Sequence, residues 1–217
     1  MARKVIVPTP REPEFSTELG PLTDTWLRDG EIYSQFMANE LDFSNQNIER
    51  GTWEDCIFQN VNLSGAKLSK FDIADARFSE CDLANSIWKN STWTRIEIQK
   101  CRLLGFDSSG GDWKDARFTD CDARLLQLRD TQFKNVRFED CNLRGADFQQ
   151  ADLRGVVFHN CDLSEANFSF ARLENADWRG CQITRIEVRG QDLKGLIVEP
   201  MQAAVLAGLL GLQVKFD

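Results

Sequence analysis

The stretch Cys141-Asn142-Leu143-Arg144-Gly145-Ala146-Asp147-Phe148-Gln149-Gln150-Ala151-Asp152-Leu153-Arg154-Gly155 repeats its character every five residues. A small residue (Cys141, Ala146, Ala151) is followed two places on by a large apolar one (Leu143, Phe148, Leu153), and the other places are polar or Gly. Neither ordinary period fits. A helix buries residues at a spacing of 3.6 and a strand at a spacing of 2. Two inward side chains in every five residues predict a chain that turns a corner at each repeat.

The register extends both ways without insertion or deletion. Upstream it passes through Phe78, Ile73, Phe58 and Trp53 to Tyr33; downstream it passes through Phe158, Phe168 and Trp178 to Val198. This is about 34 pentads of one repeating unit. A longer period lies over it. Cys81, Cys101, Cys121, Cys141, Cys161 and Cys181 are each 20 residues apart, and Phe58, Phe78, Phe118, Phe138 and Phe158 follow the same ladder. Four pentads therefore make one coil, and like residues stack on themselves in successive coils. About 8.5 coils at a strand spacing of about 4.8 Å give a rod about 40 Å long. The composition fits: 15 Phe and 6 Trp fill coil centres, and the single Tyr matches an interior short of partners for a buried hydroxyl. Ser108 and Ala123 break the rule at the centre. Phe106 beside Ser108, and Leu125 and Leu126 beside Ala123, predict volume swaps across the core, with Gly110 and Gly111 relieving a bend; a functional kink at Leu104 to Gly111 is the alternative reading.

All seven Cys fall on the small inward place. They are predicted to be packed thiols, because a linear stack in an apolar core supplies neither a zinc tetrahedron nor disulfide geometry. The sole histidine, His159, sits on an outward place with no Cys or second His to partner it. There is no Walker A loop and no dinucleotide fingerprint. No enzyme activity, metal or cofactor is expected. The chain has 217 residues and a net charge of −8, without the basic excess of a general phosphate-backbone binder, so no direct contact with nucleic acid is expected. The apolar run Val5-Ile6-Val7 is too short for a signal peptide, and Met201 to Leu212 is too short to span a bilayer. A cytoplasmic location is expected.

The motifs Cys81-Asp82-Leu83, Cys141-Asn142-Leu143-Arg144-Gly145, Ala146-Asp147-Phe148 and Ala151-Asp152-Leu153-Arg154-Gly155 resemble the A(D/N)LxX signature of pentapeptide repeat proteins. The resemblance covers residues 31–198 and implies an all-β solenoid, a right-handed quadrilateral parallel β-helix. Residues 1–30 are expected to form an N-terminal cap or arm, with a short helix over Thr23 to Arg28. Pro200 opens a predicted helix that Gly211 ends, followed by a strand-like tail, Leu212 to Phe216. This tract, 199–217, caps the last coil. Its apolar residues Met201, Val205, Leu206, Leu209, Leu210 and Leu212 are the candidate dimer interface. The tract looks like the ending of Qnr-type and MfpA-type pentapeptide proteins, which implies a homodimer joined end to end. Thr94 to Arg102, Asp177-Trp178-Arg179 and Arg185 to Gly190 are similar to Qnr-type stretches. The sequence lacks the inserted loops of the Qnr-type pattern and in this matches the loopless MfpA-type.

Residues 20 apart share an outward column. Glu80, Asp120 and Asp140 form one acidic column, and Asp82, Asp122 and Asp162 form another around the same corner, interrupted by Lys100 and Arg102. Lys114, Lys134, Arg154 and Lys194 form a basic column, as do Arg77, Arg117 and Arg137. Two readings stay open. In one, the acidic ridge imitates the phosphates of duplex DNA on a basic protein surface. The resemblance implies that this surface belongs to DNA gyrase or topoisomerase IV, with protection from quinolones or other poisons. In the other, the mixed charge is a solvated face on a scaffold or adaptor for another protein.

Overall fold

A computed structural model describes residues 8–215. Its governing feature is a left-handed backbone residue at nearly every fifth position, with φ of 56° at Gln35, 54° at Asp120 and 55° at Arg185. Gly, Asn and Asp are the commonest residues there, Gly because it has no Cβ and Asn and Asp because their short polar side chains tolerate a conformation that crowds other L-residues. Each such residue is a corner, and four corners close a square, right-handed coil.

The strands are β1 (Gly20–Pro21), β2 (Ile32–Asn39), β3 (Asn47–Ile48), β4 (Gly51–Gln59), β5 (Lys67–Leu68), β6 (Phe71–Ser79), β7 (Thr92–Gln99), β8 (Asp112–Thr119), β9 (Gln132–Glu139) and β10 (Val157–His159). The main sheet runs β1-β2-β4-β6-β7-β8-β9-β10, all parallel. From β2 onward the register is 20 residues, as in Phe58↔Phe78 and Trp93↔Trp113. The long strands cover two adjacent faces of the square. The other two faces pair mostly through single bridges, such as Asp82↔Arg102↔Asp122.

Stacking like on like fills the coil. Phe58 lies on Phe78 at 4.5 Å, Trp93 on Trp113 at 4.2 Å, and Phe118, Phe138 and Phe158 follow at 4.5 and 5.1 Å. All seven Cys are buried and free. Within the Cys81–Cys181 ladder, thiols bridge coils: Cys101 Sγ is 3.3 Å from the Gln99 carbonyl and 3.5 Å from that of Phe78. Thr131 makes the same pair of contacts with its hydroxyl. Burial holds the Cys56 thiol well above its ordinary pKa, so it stays protonated. Phe106 and Ser108 are both fully buried, with Phe106 against Trp88 and Trp93 at 6.2 Å, which is the expected volume swap. Gly111 is required there, since a Cβ would stand 3.0 Å from the carbonyls of Ser108 and Ser91. At the second irregularity only Leu126 turns inward beside Ala123. Leu125 occupies a left-handed corner and is exposed, so it takes no part in the swap.

Both ends are closed. The helix expected over Thr23 to Arg28 does not form. Leu27 is instead buried against the first coil, where its N–H donates to Gln46 Oε1 at 2.8 Å and Gln46 Nε2 donates to the Thr25 carbonyl at 2.7 Å. At the far end, helix α1 (Pro200–Leu209) begins with Glu199 and Gln202 capping each other. Gln202 is buried, and its Nε2 donates to the carbonyls of Trp178 and Cys181 at 2.6 and 2.8 Å. The Trp178 carbonyl also accepts the Cys181 N–H, whereas the Cys181 carbonyl takes from Gln202 the bond that a further coil would otherwise supply. Leu206 is buried in the core from α1, a correction to its expected place at a dimer interface: one side of this all-round apolar helix must plug the coil. The tail after α1 forms no strand over its described residues; Leu212 N–H instead turns back to the Ala207 carbonyl at 3.1 Å. Residues Phe216 and Asp217 lie outside the described residues.

Two outcomes test this packing. Gln202→Leu should lower stability by about 1–3 kcal/mol by leaving the buried Cys181 carbonyl without a donor, read as a lower Tm; Phe138→Ala should cost about 3–5 kcal/mol. In the native state none of the seven thiols should react with an alkylating reagent, and all should react in denaturant, as mass spectrometry would count.

Candidate functional site

One acidic column sits at a corner and the other lies two residues beyond it, and they are chemically different. Glu80, Asp120 and Asp140 are exposed and sit at left-handed corners. Asp82, Asp122 and Asp162 are only partly exposed and carry out local work. Asp82 Oδ1 accepts the Ala84 N–H at 2.8 Å, and Asp162 Oδ1 accepts the Ser164 N–H at 2.9 Å. These Asx turns, made by the Asp or Asn of the repeat motif, pin the chain as it leaves each strand. Arg102 pairs with Asp82 at 3.0 Å and Arg124 with Asp122 at 2.7 Å. The Arg124 hydrogen bond holds the Asp122 carboxyl below its ordinary pKa. Of the six candidates, Asp82 and Asp122 are therefore in ion pairs. Asp162 is unpaired but partly buried and holds its own turn, which leaves Glu80, Asp120 and Asp140 as the exposed members outside the ion pairs formed among the described residues.

Much of the basic surface is internally neutralised. Arg77 pairs with Glu97 at 2.7 Å, Arg117 and Arg137 lie 3.9 and 3.7 Å from Glu139, and Arg154 pairs with Asp152 at 2.7 Å. His159 is exposed. Among the described residues no group of three His, Cys, Asp or Glu is arranged to hold a metal.

A third acidic column escaped the sequence reading. Asp55, Asp75 and Asp115 are left-handed corners too, but they are 8%, 6% and 4% exposed because the N-terminal arm lies over them. Ser16 N–H donates to Asp55, Glu14 N–H to Asp75, and both the N–H and Nε of Arg11 to Asp115, over 2.9–3.2 Å. Burial alone would raise the Asp75 and Asp115 carboxyls. The Arg95 and Glu14 bonds to Asp75, and the Asn135 and Arg11 bonds to Asp115, hold both below the ordinary value instead. The 20-residue spacing of these aspartates was legible in the sequence, whereas the course of the arm had no repeat to reveal it.

At the C-terminal end, Met201, Val205, Leu209, Leu210 and Leu212 are exposed, Met201 by 65% and Leu212 by 62%. Met201, Val205 and Leu212, with Ala204, Gly208 and Val214, surround a shallow apolar depression of about 290 Å³. Val214 was missed because the tail read as a strand.

A profile of the pentapeptide repeat region matches residues 35–107, 111–168 and 133–203. Among solved structures, the chain is similar to HetL, a pentapeptide repeat protein involved in heterocyst differentiation regulation from the cyanobacterium Nostoc sp. strain PCC 7120, with 14% identity, 79% of this chain and 87% of that one covered, and a TM-score of 0.41. It is also similar to full-length QnrB1, a plasmid-mediated fluoroquinolone resistance protein, with 21% identity, 85% and 99% covered, and a TM-score of 0.32. Rfr23, a pentapeptide repeat protein from the cyanobacterium Cyanothece 51142, gives 17% identity, 64% of each chain and a TM-score of 0.22. No curated protein matches.

The arm contacts carry a pH signature. A carboxyl with a depressed folded pKa stabilises fully above its ordinary value, 3.8 for these aspartates, and loses that contribution as pH falls through the lower folded value. The amide resonances of Arg11 and Glu14 should therefore hold steady from pH 7 to about 5 and move toward random-coil positions below about 4, as an NMR titration would follow.

Proposed function

Because this chain belongs to the pentapeptide repeat family, whose solenoids are in general structural or protein-binding scaffolds, we propose that it acts without catalysis, as a rod that docks on the DNA-binding surface of a type II topoisomerase such as DNA gyrase. Docking there inhibits the enzyme or protects it from quinolones and other poisons. The observation that carries this reading is the column Glu80, Asp120 and Asp140, which stays outside the ion pairs while the adjacent Asp82 and Asp122 are matched by arginines. The resemblance of the tract after Gly195 to Qnr-type and MfpA-type endings supports the same target. Docking of the exposed apolar end on a second copy would place the ridges of two rods in one line, giving a homodimer about twice as long.

Magnitudes limit how the imitation works. A charge of −8 along about 40 Å is about one per 5 Å, against one per 1.7 Å for duplex DNA. Wholesale mimicry of charge density is therefore out of reach, and recognition rests on a local column presented by a narrow rod. A second reading, an adaptor for another protein, draws on the left-handed corners: Asp and Asn are favoured there for backbone reasons alone.

Supercoiling by gyrase, measured with and without a quinolone, separates the two. The topoisomerase reading expects inhibition or rescue together with direct binding, and the absence of all three would leave the adaptor. The triple variant E80Q/D120N/D140N, which removes the charges but keeps corner-tolerant side chains, should weaken gyrase binding by at least about tenfold with little change in Tm, whereas D162N should have little effect on binding. For the dimer, Met201→Asp with Leu212→Asp should halve the mass measured by light scattering.

A further inference from the structure

The arm crosses the coils in order, one contact after another. Ser16 meets Asp55, Glu14 meets Asp75 and Arg11 meets Asp115, and the Thr9 carbonyl accepts from Asn135 Nδ2 at 3.0 Å. Arg11 and Glu14 are three residues apart, and the carboxylates that take their N–H groups are two coils apart. Pro10 and Pro13, also three apart, are both buried, while Arg11 and Glu12 between them are exposed. A recurrence of three residues is that of the polyproline II helix. One of its turns rises about 9.3 Å, and two coils at about 4.8 Å each span about 9.6 Å. Over the Pro10–Glu14 segment the two spacings agree to within a few tenths of an ångström; on either side of it, from Glu14 to Ser16 and from Arg11 to Thr9, the arm uses two residues per coil. Side chains add specificity: Arg11 Nε reaches Asp115 Oδ2 at 3.0 Å, and the Phe15 ring lies 5.0 Å from the Arg77 guanidinium.

We propose that the Asp55–Asp115 column is a recognition groove for an extended, proline-spaced peptide, and that the chain's own Pro10-Arg11-Glu12-Pro13 segment is its resident ligand, held in cis. Carboxylates line the groove because the ligand is gripped mainly by main-chain N–H donors. The two prolines fix the repeat, and the arginine after the first of them reads Asp115. A partner segment with a Pro-Arg-x-Pro core competes for the same groove. Tethering gives the resident ligand an effective concentration of about millimolar, so the groove opens to partners that present the motif at high local density. It lies on a different corner from Glu80, Asp120 and Asp140, and it does not depend on the topoisomerase reading.

The test uses the full chain and a fluorescent peptide of residues 8–17. Against P10G/P13G, whose own arm has lost its proline spacing, the peptide should bind at least about tenfold tighter than against the unaltered chain. Adding Asp115→Asn should weaken that binding about tenfold, the loss of a charge-assisted bond. No binding to folded P10G/P13G, equal binding to both chains, or indifference to Asp115→Asn would each overturn the proposal. A second measurement needs no variant. In the unaltered chain the amides of Arg11, Glu14 and Ser16 should exchange with solvent at least about a hundredfold faster than those of the central strands. Exchange only at the rate of the central strands would mean that the arm leaves only with global unfolding, and the groove would not be exchangeable.

Discussion

Everything in this rod depends on a backbone that can enter the left-handed region once in every five residues. That conformation turns the chain through a corner, and the corner decides what each pentad can contain. Two residues between corners face inward, one large and one small. The rest face out, with the corner itself reserved for residues that tolerate a positive φ. The stacked aromatic ladders, the thiol ladder and the charged columns all follow from repeating this geometry every 20 residues. A residue's chemistry in one coil is multiplied by its neighbours above and below.

The same constraint explains what the sequence could and could not disclose. The coil, the inward Cys ladder and the swap of Phe106 for Ser108 were legible because each is a matter of spacing within the repeat. Apart from Leu125, an exposed corner and not a partner of Ala123, the differences lie where the repeat stops. Thr23 to Arg28 read as a helix, yet the open first coil recruits Leu27 as a plug and holds it through Gln46. Leu206 read as interface because α1 is apolar on every side, and composition alone could not say which side meets the coil. Gln202, polar and unremarkable in sequence, caps the last carbonyls. The scarcity of tyrosine is also less simple than a shortage of partners. The buried indole Nε1 atoms of Trp53, Trp93, Trp113 and Trp178 have no hydrogen-bond partner either, and the core bears that cost in exchange for their volume.

For the acidic surface, sequence located the columns but could not rank their members. Asp82, Asp122 and Asp162 looked equivalent to Glu80, Asp120 and Asp140. Geometry separates them: the first three hold turns or arginines, and the second three face outward from corners. Spacing places a carboxylate on a face, but its availability depends on donors two residues along the chain or one coil away, which only coordinates reveal.

The arm also changes how the rod bears load. Contacts between coils are nearest-neighbour, so a force along the axis would peel them one at a time, as in any solenoid. The arm runs the other way and fastens Asp55, Asp75, Asp115 and Asn135 in parallel. Coils along that stretch carry the arm's bonds in addition to the ladder between neighbours, whereas those beyond Asn135 are joined by ladder hydrogen bonds, stacking, cross-coil ion pairs and the α1 cap. A pull along the axis would therefore meet these added bonds on one part of the rod and not on the other.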